Sequence, residues 1–324
     1  MRRTVLSFLV CFVALAALAI FVDRRADLRE ASFEAKYPPE GEIVTIDGRA
    51  VHVVVEGTGP DLVLIHGAGG SARDWPPALV DQLTQRVRVF RVDRPGFGYT
   101  EMRHDLNTGW SAEAEPPREQ AALLARAARQ LGAETPIVVG HSFGGAVAMG
   151  WALDEPASAV VILSGATMPW PGDVDWTYRL LGSRLGGAVL APLVTAFLPE
   201  SYVRNTLENV FKPQPAPDDY FSRAGVMMAV RTATLRANNR QVNTLRAEVV
   251  RMTLEYPNIT LPVEIIHGTA DKTVFLEVHA EPLNRTLPNA ALTELEGMGH
   301  MPQHYAIDGV IAAVERAATR AGLR

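Results

Sequence analysis

Ser142 stands between two glycines, Gly140 and Gly144, and Gly140 directly follows the apolar run 137–139. An apolar run that stops at Gly-x-Ser-x-Gly and continues into 143–151, which favour a buried helix, predicts a sharp strand-to-helix turn with the serine at its tip. The glycines leave room for the strand and the helix to pack closely. The start of the helix points backbone N–H groups at any anion that forms beside the hydroxyl. This turn therefore predicts nucleophilic attack by Ser142.

Two further residues complete the chemistry that a serine nucleophile needs. Asp271 and His300 each follow a predicted strand in a glycine-containing turn, and the chain order Ser, Asp, His is that of a triad on a doubly wound sheet. His300 would accept the proton of Ser142 and return it to the leaving group. Asp271 would hold the imidazole tautomer and stabilise its charged form.

Backbone donors for an oxyanion are predicted in two turns. One is the N–H of Phe143, the residue after the nucleophile, and the other is the N–H of Ala68, which lies in a glycine-rich turn after the strand 61–65. His66, Asp93 and Arg94 are interpreted as residues that brace these loops. The remaining histidines show no metal-ligand spacing, and we expect neither a metal nor an organic cofactor.

The elements that position these residues alternate along the chain. Strands are predicted at 42–47, 50–55, 61–65, 87–92, 137–139, 159–163, 263–268 and 291–295, and helices at 74–85, 119–131, 276–287 and 307–321, with another beginning at 143. The first two strands resemble a hairpin, while the inner strands are apolar on both faces. This pattern predicts an α/β fold with a mostly parallel central sheet flanked by helices, in which chemistry collects at the carboxyl ends of the strands.

The rhythm of strands breaks between 168 and 257. This stretch contains helical segments, prolines and many aromatic residues, and we interpret it as a helical cap over the strand ends. The core then has two parts, 41–167 and 258–324. Four residues are expected to line an apolar substrate pocket: Trp170, Trp176, Met227 and Met298.

The N-terminal region 1–22 is predicted to be a transmembrane signal anchor. Residues 4–22 are uncharged and apolar, and 19 residues suffice to cross a bilayer as a helix. Cleavage as a signal peptide near 17–19 is the alternative, which would release a secreted or periplasmic protein. Residues 23–40 are charged, end in two prolines and are interpreted as a linker. We expect a bacterial inner-membrane protein whose catalytic domain lies outside the cytoplasm.

Composition excludes other classes of function. The chain has 324 residues, of which 48% are hydrophobic and 21% are charged, with a net charge of −5. There is no basic excess to neutralise phosphates, so nucleic acid is not an expected partner. Cys11 is the single cysteine, so no intrachain disulfide forms. The oligomeric state is left open.

Over residues 41–322 the chain resembles the α/β-hydrolase fold superfamily. The residues that carry the resemblance are His66-Gly67-Ala68-Gly69-Gly70, Asp93-Arg94-Pro95-Gly96-Phe97-Gly98, Gly140-His141-Ser142-Phe143-Gly144-Gly145, Asp271 after His267-Gly268, and Gly299-His300. Relatives that open epoxides or remove halides share the second motif but carry an aspartate at the nucleophile. Proline iminopeptidases and carbon–carbon bond hydrolases usually carry a proline in the first motif, which this chain lacks.

The resemblance implies a serine hydrolase of the esterase or lipase type, acting on a small-molecule ester or lipid-like substrate with an apolar part. The alternatives are the same triad acting on an amide, a peptide or a carbon–carbon bond, or acyl transfer to an acceptor other than water. A hypothesis from another class is a membrane-tethered binding protein that keeps the fold without turnover.

Overall fold

An eight-stranded sheet forms the centre of the protein. The computed structural model describes residues 2–323, with side chains from residue 4 onward; Met1 and Arg324, which bound the predicted anchor and core, lie outside the described residues. The strands are β1 (Glu42–Ile46), β2 (Arg49–Glu56), β3 (Asp61–Ile65), β4 (Arg88–Val92), β5 (Ile137–His141), β6 (Ala159–Leu163), β7 (Val263–Gly268) and β8 (Ala290–Leu295). Their order is β1-β2-β4-β3-β5-β6-β7-β8. β2 pairs antiparallel with β1 and β4, and every other pairing is parallel, which confirms the predicted sheet.

Helices cover both faces of this sheet. The described α-helices are α1 (Arg2–Lys36), α2 (Pro77–Thr84), α3 (Pro117–Gln130), α4 (Phe143–Asp154), α5 (Trp176–Gly182), α6 (Ala191–Phe197), α7 (Glu200–Phe211), α8 (Tyr220–Arg223), α9 (Thr232–Thr253), α10 (Leu276–Thr286), α11 (Pro302–Tyr305) and α12 (Ile307–Arg320). One core lies against α3 and α4 and includes Leu124 and Trp151. The other lies against α2 and α12 and includes Leu79 and Val314. The inner strands are apolar on both faces because each face contacts one of these cores.

The predicted helix at 74–85 is divided into two pieces. Ala72–Asp74 form a 3-10 turn, and α2 begins at Pro77. Trp75 and Pro76 are extended, since a proline disfavours the helical conformation of the residue before it. Pro77 itself fits the first position of α2, where no intrahelical N–H is needed.

Residues 164–262 connect β6 to β7 and contain α5, α6, α7, α8 and α9, with no strand among them. We call this stretch the helical segment. It includes a π-helical turn at Gly186–Leu190, which leads directly into α6. α5 packs along α9, and α4 in turn contacts α9. The helical segment covers the range in which the sequence predicts helices without strands.

The first helix has two halves with different surroundings. α1 is unbroken over 35 residues, and the side chains of residues 4–21 are all exposed. By length and composition this helix meets the requirements of a membrane span and equally those of a signal sequence. Residues 22–36 instead pack against the helical segment, where Val22 and Ala26 are buried against Ala196. The prediction of a linker at 23–40 is therefore wrong for residues 23–36.

Charged side chains of α1 explain this docking. Arg29 donates to the backbone oxygens of Thr195 and Leu198, at 2.9 and 3.0 Å, which lie at the end of α6. Glu30 accepts from the backbone N–H of Thr232, the first residue of α9, at 2.8 Å. Helix ends leave such groups without intrahelical partners, so α1 satisfies the end of one helix and the start of another. Charges that suggest a solvated linker thus form specific tertiary contacts.

Candidate active site

The turn between β5 and α4 holds Ser142 in a strained conformation. Its φ of 53° and ψ of −118° lie outside the regions that non-glycine residues prefer. A Cβ on Gly140 would stand 2.2 Å from the carbonyl oxygen of Gly144, and a Cβ on Gly144 would stand 2.3 Å from that of Ile65. Both distances are shorter than any normal contact. The glycines at these positions are therefore required for strand, turn and helix to pack together.

Asp271 and His300 are hydrogen-bonded to each other. Asp271 follows β7 and His300 follows β8, so neighbouring parallel strands bring them to the same edge of the sheet. His300 Nδ1 lies 2.7 Å from Asp271 Oδ2, and both side chains are buried. Asp271 Oδ1 accepts from the backbone N–H groups of Thr273 and Val274 at 2.8 and 2.9 Å. The carboxylate is thereby fixed in orientation on both oxygens.

The surroundings of Asp271 keep it ionised. Burial by itself would raise the pKa of this carboxyl, but the nearby His267 ring and hydrogen bonds from His300 and from the backbone N–H of Val274 lower the pKa below its usual range. His267 donates through Nε2 to the backbone oxygen of Val274 at 2.7 Å and lies 3.4 Å from Asp271 Oδ2. An ionised Asp271 accepts a hydrogen bond from the N–H of His300 Nδ1, so the proton of the neutral ring is held on Nδ1 and Nε2 is free to accept a proton.

Ser142 and His300 line one cavity, of about 240 Å³, which we call the His300 cavity. His141 also lines it and donates through Nε2 to the backbone oxygen of His300 at 2.9 Å. Burial lowers the pKa of His141 to about 3, so its ring is neutral at neutral pH. His141 therefore positions the His300 backbone and adds no charge to the cavity.

Ser142 also lines a second cavity, of about 410 Å³, which we call the Trp170 cavity. Its wall contains Ala68 and Phe143, the two residues whose N–H groups the sequence predicts as oxyanion donors. Phe143 is the first residue of α4, a position whose N–H has no partner within the helix. The structure thus brings Ala68, Ser142 and Phe143 to one wall.

The turn that carries Ala68 is fixed from two sides. Arg94 donates to the backbone oxygens of His66 and Gly67 at 3.0 and 2.9 Å. Asn238 on α9 accepts from the N–H of Gly69, which has a φ of 68°, at 2.9 Å. Burial together with the nearby Arg94 lowers the pKa of His66 to about 3.

Arg94 is fully buried without a carboxylate among its hydrogen-bond acceptors. Besides the two backbone oxygens, it donates to Gln120 and Gln241 at 3.0 and 2.7 Å, and its guanidinium lies 4.2 Å from the ring centre of Phe143.

Asp93 in turn accepts from the N–H of Ala72 at 2.7 Å and from His52 at 2.7 Å. These residues brace the loops around Ser142.

The four residues predicted for the pocket wall have different positions. Trp170 lines the Trp170 cavity. Trp176, Met227 and Met298 line neither that cavity nor the His300 cavity. Trp176 is 62% exposed at the start of α5, because this helix turns Tyr178, Leu181 and Gly182 toward the protein instead. Met227 packs instead among apolar side chains that include Phe33 of α1.

Met298 contributes to the site through its backbone. Its carbonyl oxygen accepts from the N–H of Ala270 at 2.9 Å, which ties the turn that holds Asp271 to the turn that holds His300. Met298 lies two residues before His300, but its side chain lines neither cavity, whereas Met301 directly after His300 lines the His300 cavity.

The sequence gives no signal for several polar residues of the His300 cavity. Asp74 lines it, and the hydroxyl of Tyr220 donates to Asp74 Oδ1 at 2.5 Å. Burial raises the pKa of Asp74 to about 6, and the hydrogen bond from Tyr220 opposes that shift. Tyr178 lines both cavities and Asn238 lines the first. These residues meet through tertiary packing, which leaves no local pattern.

Among residues 2–323 there is no group of three or more His, Cys, Asp or Glu side chains that could hold a metal ion. The chemistry that the site offers through its own residues is proton transfer and nucleophilic attack, with backbone N–H groups beside the nucleophile.

Comparison with known proteins identifies the same family that the sequence motifs resemble. The model of the alpha/beta hydrolase family matches residues 62–313. A protein of Mycobacterium tuberculosis described as uncharacterized is 29% identical over 91% of this chain and 85% of its own length. The pimeloyl-[acyl-carrier protein] methyl ester esterase of Nitrosomonas europaea is 27% identical over 78% of this chain and 93% of its own. A solved structure described as a membrane phospholipase A superposes with a TM-score of 0.61 at 22% identity, over 98% of this chain and 99% of that one.

Proposed function

The chain belongs to the alpha/beta hydrolase family, and from this premise we propose that it is a membrane-anchored serine hydrolase that cleaves carboxylic esters with an apolar part. The observation that carries the proposal is the pair His300–Asp271, 2.7 Å apart, in a cavity that Ser142 also lines. The similarity to an enzyme described as a methyl ester esterase supports ester chemistry.

The proposed reaction has two proton transfers in each half. His300 Nε2 accepts the hydroxyl proton as Ser142 Oγ attacks the carbonyl carbon, and the carbonyl electron pair moves to its oxygen. The N–H groups of Phe143 and Ala68 stabilise this oxyanion, and each such donor contributes about 3 kcal/mol in comparable sites. His300 then protonates the leaving alcohol, and an acyl group remains on Ser142. In the second half, a water molecule gives a proton to His300 as its oxygen attacks the acyl carbon. The bond from that carbon to Ser142 Oγ then breaks, His300 returns the proton to Oγ, and the acid is released.

The two cavities are proposed to hold different parts of the ester. The leaving oxygen must lie near His300, so the alcohol part belongs in the His300 cavity. The acyl part then belongs in the larger Trp170 cavity, whose wall includes the apolar side chains of Leu245, Val274 and Val278. The helical segment contributes to both walls and is proposed to act as a cap.

The N-terminal helix is proposed to remain attached as a membrane anchor. A signal peptide has an apolar region of about 7–15 residues that ends at its small-residue cleavage site, whereas the apolar run here continues past 17–19 through residue 22, within the unbroken helix α1. The half beyond this point is held by buried Val22 and Ala26. The exposed apolar half would span the membrane, with the catalytic domain outside the cytoplasm.

The test is hydrolysis of p-nitrophenyl esters from acetate to palmitate by the full-length protein, with Ser142→Ala as the matched control. We expect turnover that depends on Ser142 and has a chain-length optimum. A fluorophosphonate probe should label the wild-type serine and not the variant. Ester hydrolysis at an equal rate by Ser142→Ala would refute the proposal.

An aminoacyl p-nitroanilide run alongside distinguishes the chemistries. Cleavage of the anilide with no ester turnover would overturn ester specificity in favour of a peptidase. Labelling of Ser142 without turnover of either substrate would favour carbon–carbon bond cleavage or acyl transfer. The absence of both labelling and turnover would favour a binding protein.

A further inference from the structure

A row of large apolar side chains is exposed on the helical segment. Leu185, Val189, Leu193 and Phe197 follow one another at every fourth residue, and their exposed fractions are 65, 44, 36 and 48%. A spacing of four places them on one face of the turn Gly186–Leu190 and α6. We call these four residues the apolar stripe.

More exposed large side chains lie on the neighbouring helices. Trp176 and Leu180 of α5 are 62 and 43% exposed, and Tyr202 of α7 is 60% exposed. α5 contacts the turn that carries the stripe, and α7 follows α6 after two residues. Groups of exposed large apolar side chains on neighbouring helices mark interaction sites on protein surfaces.

The apolar stripe is continuous with the exposed half of α1. Phe197 ends the stripe, and its ring centre lies 6.5 Å from that of Phe21, the last residue of the exposed apolar run 4–21. The guanidinium of Arg25, one turn further along α1, lies 5.0 Å from the Phe197 ring centre. The Phe197 end of the stripe therefore lies beside the point where α1 leaves the rest of the protein.

We propose that the apolar stripe lies against the same lipid bilayer that α1 enters. The inference rests on the membrane anchor of the proposed function. Trp176 and Tyr202 have the amphipathic rings that are enriched at membrane–water interfaces. Exposed Arg184, beside Leu185, has the charge that anionic headgroups attract. The helical segment thus forms an interfacial surface next to a transmembrane helix.

The bilayer fits this surface better than a second copy of the chain. α1 is tied to the end of α6 by hydrogen bonds from Arg25 to Ala196 and from Arg29 to Thr195, each 2.9 Å long. A membrane-spanning α1 therefore holds the end of the stripe at the membrane surface. A partner protein would have to displace lipid from the same place.

The position of the stripe has a consequence for the substrate. The helices around it also form the wall of the His300 cavity, to which α5 contributes Tyr178 and α7 contributes Val203 and Leu207. An ester that resides in the bilayer would meet this wall from the membrane side. Contact between stripe and lipid would therefore favour esters embedded in the membrane over soluble esters.

The location of the stripe can be measured without activity. Spin labels are placed by Val13→Cys, Leu193→Cys and Leu254→Cys in a Cys11→Ser background of the full-length protein, reconstituted into vesicles of phosphatidylcholine and phosphatidylglycerol. Accessibility to oxygen and to a water-soluble nickel complex is then compared. Val13 reports on the anchor, and Leu254, 80% exposed at the end of α9, is the control on the helical segment. We expect lipid-like accessibility at 13 and 193 and aqueous accessibility at 254.

The outcomes separate the inference from its premise. A lipid-exposed label at 13 with an aqueous label at 193 overturns the inference and leaves the anchor intact. An aqueous label at 13 overturns the anchor and the inference together. A label at 193 that reaches neither reagent and shows dipolar broadening means that a second copy covers the stripe, which also overturns the inference. A lipid-exposed label at 193 supports it, even if no ester is turned over.

A second experiment tests the consequence for the substrate. Leu193→Glu in the full-length protein should lower the rate on a long-chain ester embedded in the vesicles by about tenfold, as expected for the loss of one buried leucine contact. Its rate on p-nitrophenyl acetate should stay near that of the wild type. Leu254→Glu is the matched control and should change neither rate. Equal losses on both esters for Leu193→Glu would overturn the preference for embedded substrates.

Discussion

Replacement of Asp271 by asparagine should abolish the function of His300 as a base while leaving the fold intact. Oδ1 of Asp271 accepts two backbone N–H groups, from Thr273 and Val274. An asparagine must place its carbonyl oxygen there, because its NH₂ group cannot accept those bonds. The NH₂ group then occupies the position of Oδ2 and donates to His300 Nδ1. This forces the proton of the imidazole onto Nε2, the atom that has to accept the proton of Ser142.

The expected loss is large because the wrong tautomer cannot act as a base. The corresponding change in a well-studied serine protease lowers kcat by about 10⁴-fold, and we expect Asp271→Asn to do the same, which equals about 5 kcal/mol in the activation barrier. Folding should be little affected, since the variant keeps the two backbone hydrogen bonds of the side chain.

The assay combines kinetics with spectroscopy. Turnover of the best p-nitrophenyl ester is compared with the wild type at neutral pH, and thermal unfolding controls for the fold. The nitrogen chemical shifts of His300 report which ring nitrogen carries the proton, and we expect a change from Nδ1 to Nε2. A variant that keeps a tenth or more of the wild-type kcat, or a proton that stays on Nδ1, would refute the reasoning.

Three further changes test the surroundings of the nucleophile. Gly144→Ala should destabilise the protein by more than about 3 kcal/mol in denaturant unfolding, because its Cβ would lie 2.3 Å from the Ile65 oxygen; a change below about 1 kcal/mol would contradict this. Asn238→Ala removes the acceptor of the Gly69 N–H and should lower kcat about tenfold with little change in KM, by loosening the turn that holds an oxyanion donor; equal stability with unchanged kcat would contradict that role. Burial raises the pKa of Asp74 to about 6 from 3.8, so its contribution to stability is complete below about pH 4 and is lost as the pH rises through about 6. Between pH 4 and pH 7, the free energy of unfolding of Asp74→Asn should therefore rise by up to about 3 kcal/mol relative to that of the wild type. Parallel pH profiles of the two free energies of unfolding would contradict this.

The sequence predicts the sheet and the residues at its edge because their signals are local. Each strand is a short apolar run, and the parallel order brings the turns after β5, β7 and β8 to one edge. Ser142, Asp271 and His300 can be identified from their places after those strands, together with glycines at fixed spacing. Ala68 and Phe143 follow from the same logic, since a backbone N–H needs no particular side chain.

The cavity walls could not be predicted in this way. Trp170 and Trp176 are both large, aromatic and close in the sequence, yet one lines a cavity and the other is exposed. Trp170 precedes α5, and its ring centre lies 5.8 Å from that of His279, a residue far away in the chain. The same holds for Asp74 and Tyr220, which belong to different parts of the fold and meet only in three dimensions.

The misinterpreted linker shows a more general limit of charge patterns. Arginine and glutamate at positions 25–34 are typical of a solvated surface, but Arg29 and Glu30 have their partners at the end of α6 and the start of α9. The period of the buried residues Val22, Ala26 and Phe33 is a helical one and continues the apolar half of α1. Because the ends of helices expose unpaired carbonyl and N–H groups, a charged helix can dock through polar contacts where an apolar face is small. In the proposed function, α1 would be the membrane anchor at one end, while its other end satisfies the end of α6 and the start of α9. The position of that anchor would then be coupled to the helical segment, which contributes to the walls of both cavities beside Ser142.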